Sequence, residues 1–215
     1  NHIAIVRALA SKWSGLSRSE IISATKLANG GGLTKTLEEL QYSGFIAEYL
    51  PFGRIKRETV YRLTDEYSLF YLRFIETMHK EGAGIWRSFH QTPNYRTWGG
   101  YAFESICLKH LPEIKKALGI EGVFATSSSF YQKGTEEMEG CQVDLVIDRD
   151  DMVINLCEIK WSGTDFILNK KYATDLRKKM ALFQHYSNTK KQIFLTLITT
   201  HGILPNEYSK GLVDK

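Results

Sequence analysis

Three charged side chains sit inside two apolar runs: Asp144 in "CQVDLVID", and Glu158 and Lys160 in "INLCEIKW". Each run has the length and apolar content of a buried strand, and a charged turn around Asp150 joins them. An unpaired charge buried in such a place costs roughly several kcal/mol even after its surroundings relax. Residues two apart in a strand face the same side, so Glu158 and Lys160 project together. The turn lays the strand of Asp144 beside them. Two carboxylates converging from neighbouring strands offer the hard oxygens that suit Mg²⁺, which takes one or two carboxylates and keeps several waters. A lysine beside such an ion can orient or polarise an attacking water. The ion lowers the pKa of that water and offsets charge on a phosphate, which is the chemistry of phosphodiester hydrolysis. On this reading Asp144 and Glu158 hold the metal and Lys160 positions the water. A purely structural ion pair is the plain alternative for the same residues.

The elements that must position these groups are legible on either side. "YAFESICLKHLPEIKKALGI", from Tyr101, reads as one helix with Phe103, Ile106, Cys107, His110, Leu111 and Ile114 near one face. "VFATSSSFYQK" is a strand candidate, followed by a polar turn from Gly134 to Gly140 and then by the charged hairpin. "NKKYATDLRKKMALFQHYSN" is a second helix and "KQIFLTLITT" a buried strand. The expected order is helix, three strands, helix, strand, in a mixed α/β domain over residues 99–215.

Residues 1–65 carry the punctuation of a smaller domain. Ile3, Val6, Leu9 and Trp13 follow helical spacing. Ser17 with Glu20 forms a capping box for a second helix. Leu33, Leu37 and Leu40 line a third helix, and Gly44 stops it. "FIAEYLPFGRIKRETVYRLT" then reads as strand, turn, strand. Three helices and a hairpin are the order of a winged helix-turn-helix. Between the two domains, residues 66–98 read as an aromatic-rich helix stopped by Gly82 and Gly84, then an aperiodic connection through Pro93 and up to Gly99 and Gly100.

The formal net charge of +4 is compatible with a polyanionic partner. Lys170, Lys171, Arg177, Lys178 and Lys179 share the second helix with Asp175 alone against them, a stripe suited to a phosphate backbone. A solvated helix face explains the same run equally well. Arg54, Lys56 and Arg57 cluster on the hairpin turn and suit phosphate contact. The third helix is less favourable to DNA, because Glu38 and Glu39 would oppose phosphates, although Thr34, Lys35, Gln41 and Tyr42 have the chemistry to reach base edges.

Several classes are set aside. The three cysteines have no CxxC spacing and read as buried thiols of a reducing compartment, which implies a cytoplasmic protein. No apolar stretch approaches a membrane span. Gly30, Gly31 and Gly32 precede no GK[ST] and read as a turn, and Ser127 to Ser129 lack the context of a nucleophile elbow. The opening "NHIAIVRALASKW" and the closing "SKGLVDK" read as those of a piece cut from a longer protein.

Asp144 followed across a short hairpin by Glu158-Ile159-Lys160 resembles the signature of the PD-(D/E)XK nucleases, with Val143 where that signature has proline. Glu104, in "GYAFES", matches the acidic residue that many of these folds place on the preceding helix, which implies that it supports the metal or a second one. The resemblance also implies that the Ile159 carbonyl adds a ligand. The whole chain, through "DEYSLFYLRFI", "GYAFESI", "VDLVID" and "CEIKW", resembles the C-terminal half of the prokaryotic ATPases of the DUF234 family. In that family a domain of the AAA+/STAND type precedes the winged helix. The resemblance therefore implies a winged helix followed by a restriction-endonuclease-like αβββαβ domain, a missing N-terminal ATPase domain in the same polypeptide, and ATP bound only there. It implies DNA as a partner and Mg²⁺-dependent cleavage as an activity. The rival expectation is a catalytically inactive, nuclease-like regulatory module that docks on the missing ATPase domain.

Overall fold

The computed structural model describes residues 1–76, 89 and 92–214. It is a mixed α/β chain that divides into two compact units. One comprises Asn1–Leu50 and Arg54–Ala102, the other Pro51–Gly53 and Phe103–Lys215.

The first unit opens with α1 (His2–Ala10), β1 (Leu16–Ser17), α2 (Arg18–Thr25) and α3 (Gly31–Tyr42). Strands β2 (Ile46–Tyr49) and β3 (Val60–Leu63) follow, and the three strands form an antiparallel sheet in the order β1-β3-β2. Ser17 caps α2 by accepting from the Glu20 N–H, and the Glu20 carboxylate accepts from the Ser17 N–H, so the capping box is complete. Leu33, Leu37 and Leu40 are buried with Ile5, Leu9, Ile21 and Leu63 in one core. Gly44 ends α3 at φ +74°, where a left-handed backbone suits glycine. Gly15 is more constrained still: its φ is +88°, and a Cβ there would stand 2.7 Å from the Tyr61 carbonyl oxygen.

Three expectations for this unit need correction. Ile3 is exposed and Ile5 is buried instead, so the apolar stripe of α1 is offset from the spacing of Ile3, Val6, Leu9 and Trp13. Trp13 lies beyond the helix, where its ring stacks on Tyr101 at 4.2 Å. The β2–β3 connection is a long loop holding a 3₁₀ turn, Lys56–Glu58. Downstream, α4 (Glu66–Phe70) is capped by Asp65 and widens into a π-helical turn over Tyr71–Ile75. The stop expected at Gly82 and Gly84 lies outside the described residues.

Helix α5 (Pro93–Lys109) begins well before the expected start near Gly100 and carries Gly99 and Gly100 inside it. It ends at His110, whose Nδ1 lies 2.8 Å from the Ile106 carbonyl oxygen. A separate helix, α6 (Leu111–Leu118), then starts with Pro112 in its first turn. The expected single helix is therefore two, and Ile106 is exposed. Proline is tolerated at a helix start but not within one, which is why the break falls there.

The second unit is built on a four-stranded sheet in the order β4-β5-β6-β8, with β4 (Ala125–Gln132), β5 (Cys141–Arg149), β6 (Val153–Lys160) and β8 (Gln192–Thr199). The first two pairings are antiparallel; β6 and β8 are parallel, linked through β7 (Phe166–Ile167) and α7 (Lys170–Ser187). A parallel pair needs such a crossover, and the near-continuous burial of β6 is what a covered sheet demands. Strand β7 pairs in parallel with β9 (Ile203–Leu204), a small sheet with no clear signal in the sequence. Phe130, Val143, Val146, Ile154, Leu156 and Phe183 form one core cluster; Leu168, Ala173, Leu176 and Leu195 form another. The three cysteines are free, buried thiols. Among the described residues no helix is long and apolar enough to cross a membrane.

Candidate functional site

Strand β5 does not run straight past Asp144. Ser128 pairs with Val146 and Phe130 with Val143, so the single residue Ser129 faces both Asp144 and Leu145. This is a β-bulge, a device that bends a strand and re-aims a side chain. The bulge also explains how Val143 and Val146, an odd and an even position, enter the same core cluster.

On the other edge of β5 the ladder to β6 ends at Leu145 and Cys157. Continued in register, it would bring Val143 to Ile159. Instead the Ile159 N–H donates to Asp144 Oδ2 at 3.1 Å, so a carboxylate replaces a backbone carbonyl as its partner. Asp144 thus stands at the fork where the two strands part. Its carboxyl is pushed up to about 6, first by burial, then by the charges of Glu158 and Glu104, against the smaller opposing effects of the Ile159 hydrogen bond and Lys160.

Glu158 has the opposite balance. Its side chain is only 5% exposed. Oε1 accepts from Lys160 Nζ at 2.7 Å and from the Tyr172 hydroxyl at 2.9 Å, while Oε2 accepts from Lys179 Nζ at 2.5 Å. Burial would raise its pKa, but Lys179 and Lys160 together outweigh burial and hold it below the ordinary range. For Lys160, burial is likewise outweighed, by Glu158, and the ammonium is held above its usual value. The Tyr172 phenol is raised by burial and by Glu158, so it stays a neutral donor, and its ring lies 5.7 Å from Lys160 Nζ.

The residues singled out in the sequence are therefore partly brought together. Asp144, Glu158, Lys160 and the half-buried Glu104 on α5 act on one another electrostatically. The basic stripe on α7 is not one stripe. Lys170, Lys171 and Arg177 are exposed, and Lys178 pairs with Glu139 at 2.5 Å. Lys179 turns inward to Glu158, because it lies three residues after Leu176 and four before Phe183, on the buried side of the helix. On the β2–β3 loop Lys56 and Arg57 are exposed, while Arg54 pairs with Glu58 at 3.4 Å.

Three contributors were not assigned to this site from the sequence: Tyr172, Lys179, which was read there as part of the phosphate stripe, and Phe52. The first two were legible in principle, since Tyr172, Leu176, Lys179 and Phe183 share one helical face. Phe52 was not. Within the second unit its N–H donates to the Ser129 carbonyl at 2.7 Å, at the bulge itself, and its ring packs 5.4 Å from Phe183. A residue so far along the chain from the bulge leaves no local pattern.

The donor types suit Mg²⁺: two carboxylates on neighbouring strands act on one another electrostatically beside the fork, and among the described residues Asp144 takes one hydrogen bond only. No group of three or more His, Cys, Asp and Glu among those residues is arranged to hold a metal ion as it stands, and both oxygens of Glu158 are occupied by ammonium groups. Comparison of the chain with protein-family models, with curated proteins and with solved structures gives no match.

Proposed function

We propose that this chain is a DNA-binding, Mg²⁺-dependent nuclease portion of a larger ATP-binding protein, made of a winged helix-turn-helix followed by a restriction-endonuclease-like domain. The observation that carries this reading is the fork in the sheet: a bulge aims Asp144 at the Ile159 N–H, with Glu158 and Lys160 on the facing strand. Bulges beside active sites commonly serve this purpose. The order of strands and helices in both units supports the two fold names. The DUF234-like motifs support the ATP-binding partner domain.

Asp144 and Glu158 would hold the ion, with Glu104 in support. When bound, Mg²⁺ supplies charge neutralisation at the scissile phosphate and lowers the pKa of a coordinated water. The chain's own groups do the rest. Lys160, fixed at 2.7 Å from Glu158, orients the attacking water by donating a hydrogen bond. Tyr172 holds Glu158 in one rotamer through its hydroxyl. Lys170 and Lys171 on α7, with Arg54, Lys56 and Arg57 on the β2–β3 loop, supply sequence-blind attraction for phosphates.

A second reading is favoured by one observation, the full pairing of Glu158: a nuclease-like regulatory module without catalysis, docking on the ATPase domain. Incubation of plasmid and single-stranded DNA with Mg²⁺ or Mn²⁺ separates the two. The nuclease reading expects cleavage by the wild type and a loss of at least about a hundredfold, the scale of a removed catalytic group, in Asp144→Ala and Lys160→Ala. Equal cleavage by all three proteins, or none by any, sinks it.

A further inference from the structure

Glu158 carries more positive charge than it needs. One carboxylate accepts from two ammonium groups and a phenol, using both oxygens. The two lysines differ in how they arrive. Lys160 is two residues along the same strand, so the pleat itself sets it beside Glu158. Lys179 comes from α7, and its four-carbon stem is the only part that need move for its ammonium to leave. Both side chains are far more exposed than Glu158, at 34% and 27% against 5%.

Charge counting points the same way. With Asp144 ionised, Asp144, Glu158 and Glu104 bring three negative charges within electrostatic reach of one another, and Lys160 and Lys179 bring two positive ones. The group is near balance without any ion. A divalent cation that takes Glu158 as a ligand leaves an excess of positive charge and competes for the oxygen that Lys179 now holds. That oxygen is Oε2, on which no other hydrogen bond is made among the described residues.

We propose that Lys179 is a displaceable counter-cation: it holds Glu158 Oε2 in the ion-free protein, yields that oxygen to a divalent cation, and is then free to meet the anionic phosphate of the substrate. The proposal rests on the nuclease reading above. In the ion-free protein Lys179 acts through Glu158, as a positioning residue. Its exchange with the ion makes the site switch between two balanced states rather than leaving a bare pair of carboxylates in the sheet.

The test is Mn²⁺ titration calorimetry and thermal unfolding of the wild type, Lys179→Met, Lys179→Gln and Lys178→Met. The last removes the neighbouring charge, whose partner is Glu139 and not Glu158. Expected for both Lys179 variants is about tenfold tighter Mn²⁺ binding, equivalent to about 1.4 kcal/mol, with Lys178→Met within about twofold of the wild type. The ion-free Lys179 variants should melt below the wild type, and saturating Mn²⁺ should close that gap. A purely structural Lys179 would leave the gap open with Mn²⁺ present. Unchanged or weaker Mn²⁺ binding in both Lys179 variants, with binding intact in the wild type, overturns this proposal alone. No Mn²⁺ binding by any of the four proteins overturns it together with the nuclease reading. Lys179→Gln removes the charge but keeps a shorter polar side chain with N–H donors, so it serves where Lys179→Met does not fold.

Discussion

The two units use charge in contrasting ways. In the first, the ion pairs among the described residues stay at the surface, as in Lys12 with Glu20, Lys35 with Glu39, Arg54 with Glu58, and Arg7 with Glu76. Its core is aliphatic, built from Ile5, Leu9, Ile21, Leu37 and their neighbours. In the second, surface pairs such as Lys178 with Glu139 are joined by charge inside, where Glu158 is buried in β6. Exposed pairs contribute from nothing to about 1 kcal/mol each. A buried cluster costs several kcal/mol to desolvate, and well-packed apolar residues would often stabilise the same space as well or better. Stability alone therefore explains the first pattern and not the second. A poorly compensated Asp144 beside a fully compensated Glu158 in the sheet is the pattern on which the proposed cation site rests.

The sharpest way to break this comparison is to delete the hub. Glu158→Ala leaves Lys160 and Lys179 without their shared counter-charge and should cost about 3 kcal/mol or more in equilibrium unfolding. A cost near 0.5 kcal/mol would mean that the cluster is no more than a surface pair.

The next effect has the opposite sign. Asp144→Asn keeps an oxygen to accept from Ile159 and removes a charge that burial and two neighbouring carboxylates oppose. With a native pKa of about 6, against about 3.9 in the unfolded chain, the native state binds more protons between those values. Stability contributed by this group is therefore greatest below about pH 4 and falls as pH rises to about 6. The variant should lack that slope and be more stable at pH 7 by about 3 kcal/mol. Glu158 behaves conversely: its lowered pKa contributes stability above the unfolded value of about 4.3, lost only as pH falls through the native one. A wild-type profile that is flat between pH 4 and 6 would contradict the assignment of Asp144 as the uncompensated partner.

The smallest effect belongs to the first unit. Lys35→Ala removes an exposed pair with Glu39 at 3.9 Å and should change stability by less than about 0.5 kcal/mol. A larger change would blur the contrast between the units.

Much of this arrangement was legible because it is local. The period-two alternation of Glu158 and Lys160, the capping box at Ser17 and the apolar face of α3 are each set by neighbours within a few residues. The start of α5 was hidden by Gly99 and Gly100, which helix propensity disfavours but tertiary context overrides here. The bulge at Asp144 was hidden because register is a property of two strands, and no feature of β5 alone marks which residue is extra. Lys179 was misplaced because a run of like charges invites a surface reading, whereas its helical phase with Leu176 and Phe183 turns it inward. Phe52 could not be read at all, since its partners Ser129 and Phe183 are remote in the chain.

Thermal unfolding of the wild type and of Asp144→Ala, with and without Mg²⁺, decides whether the charge cluster of the second unit is a divalent-cation site. Binding to the native state alone, at a hundred times the dissociation constant, stabilises by about 2.7 kcal/mol. The account predicts a rise of several degrees in the wild type, which Asp144→Ala abolishes. An equal response of the two proteins to Mg²⁺, or no response in the wild type, would contradict it.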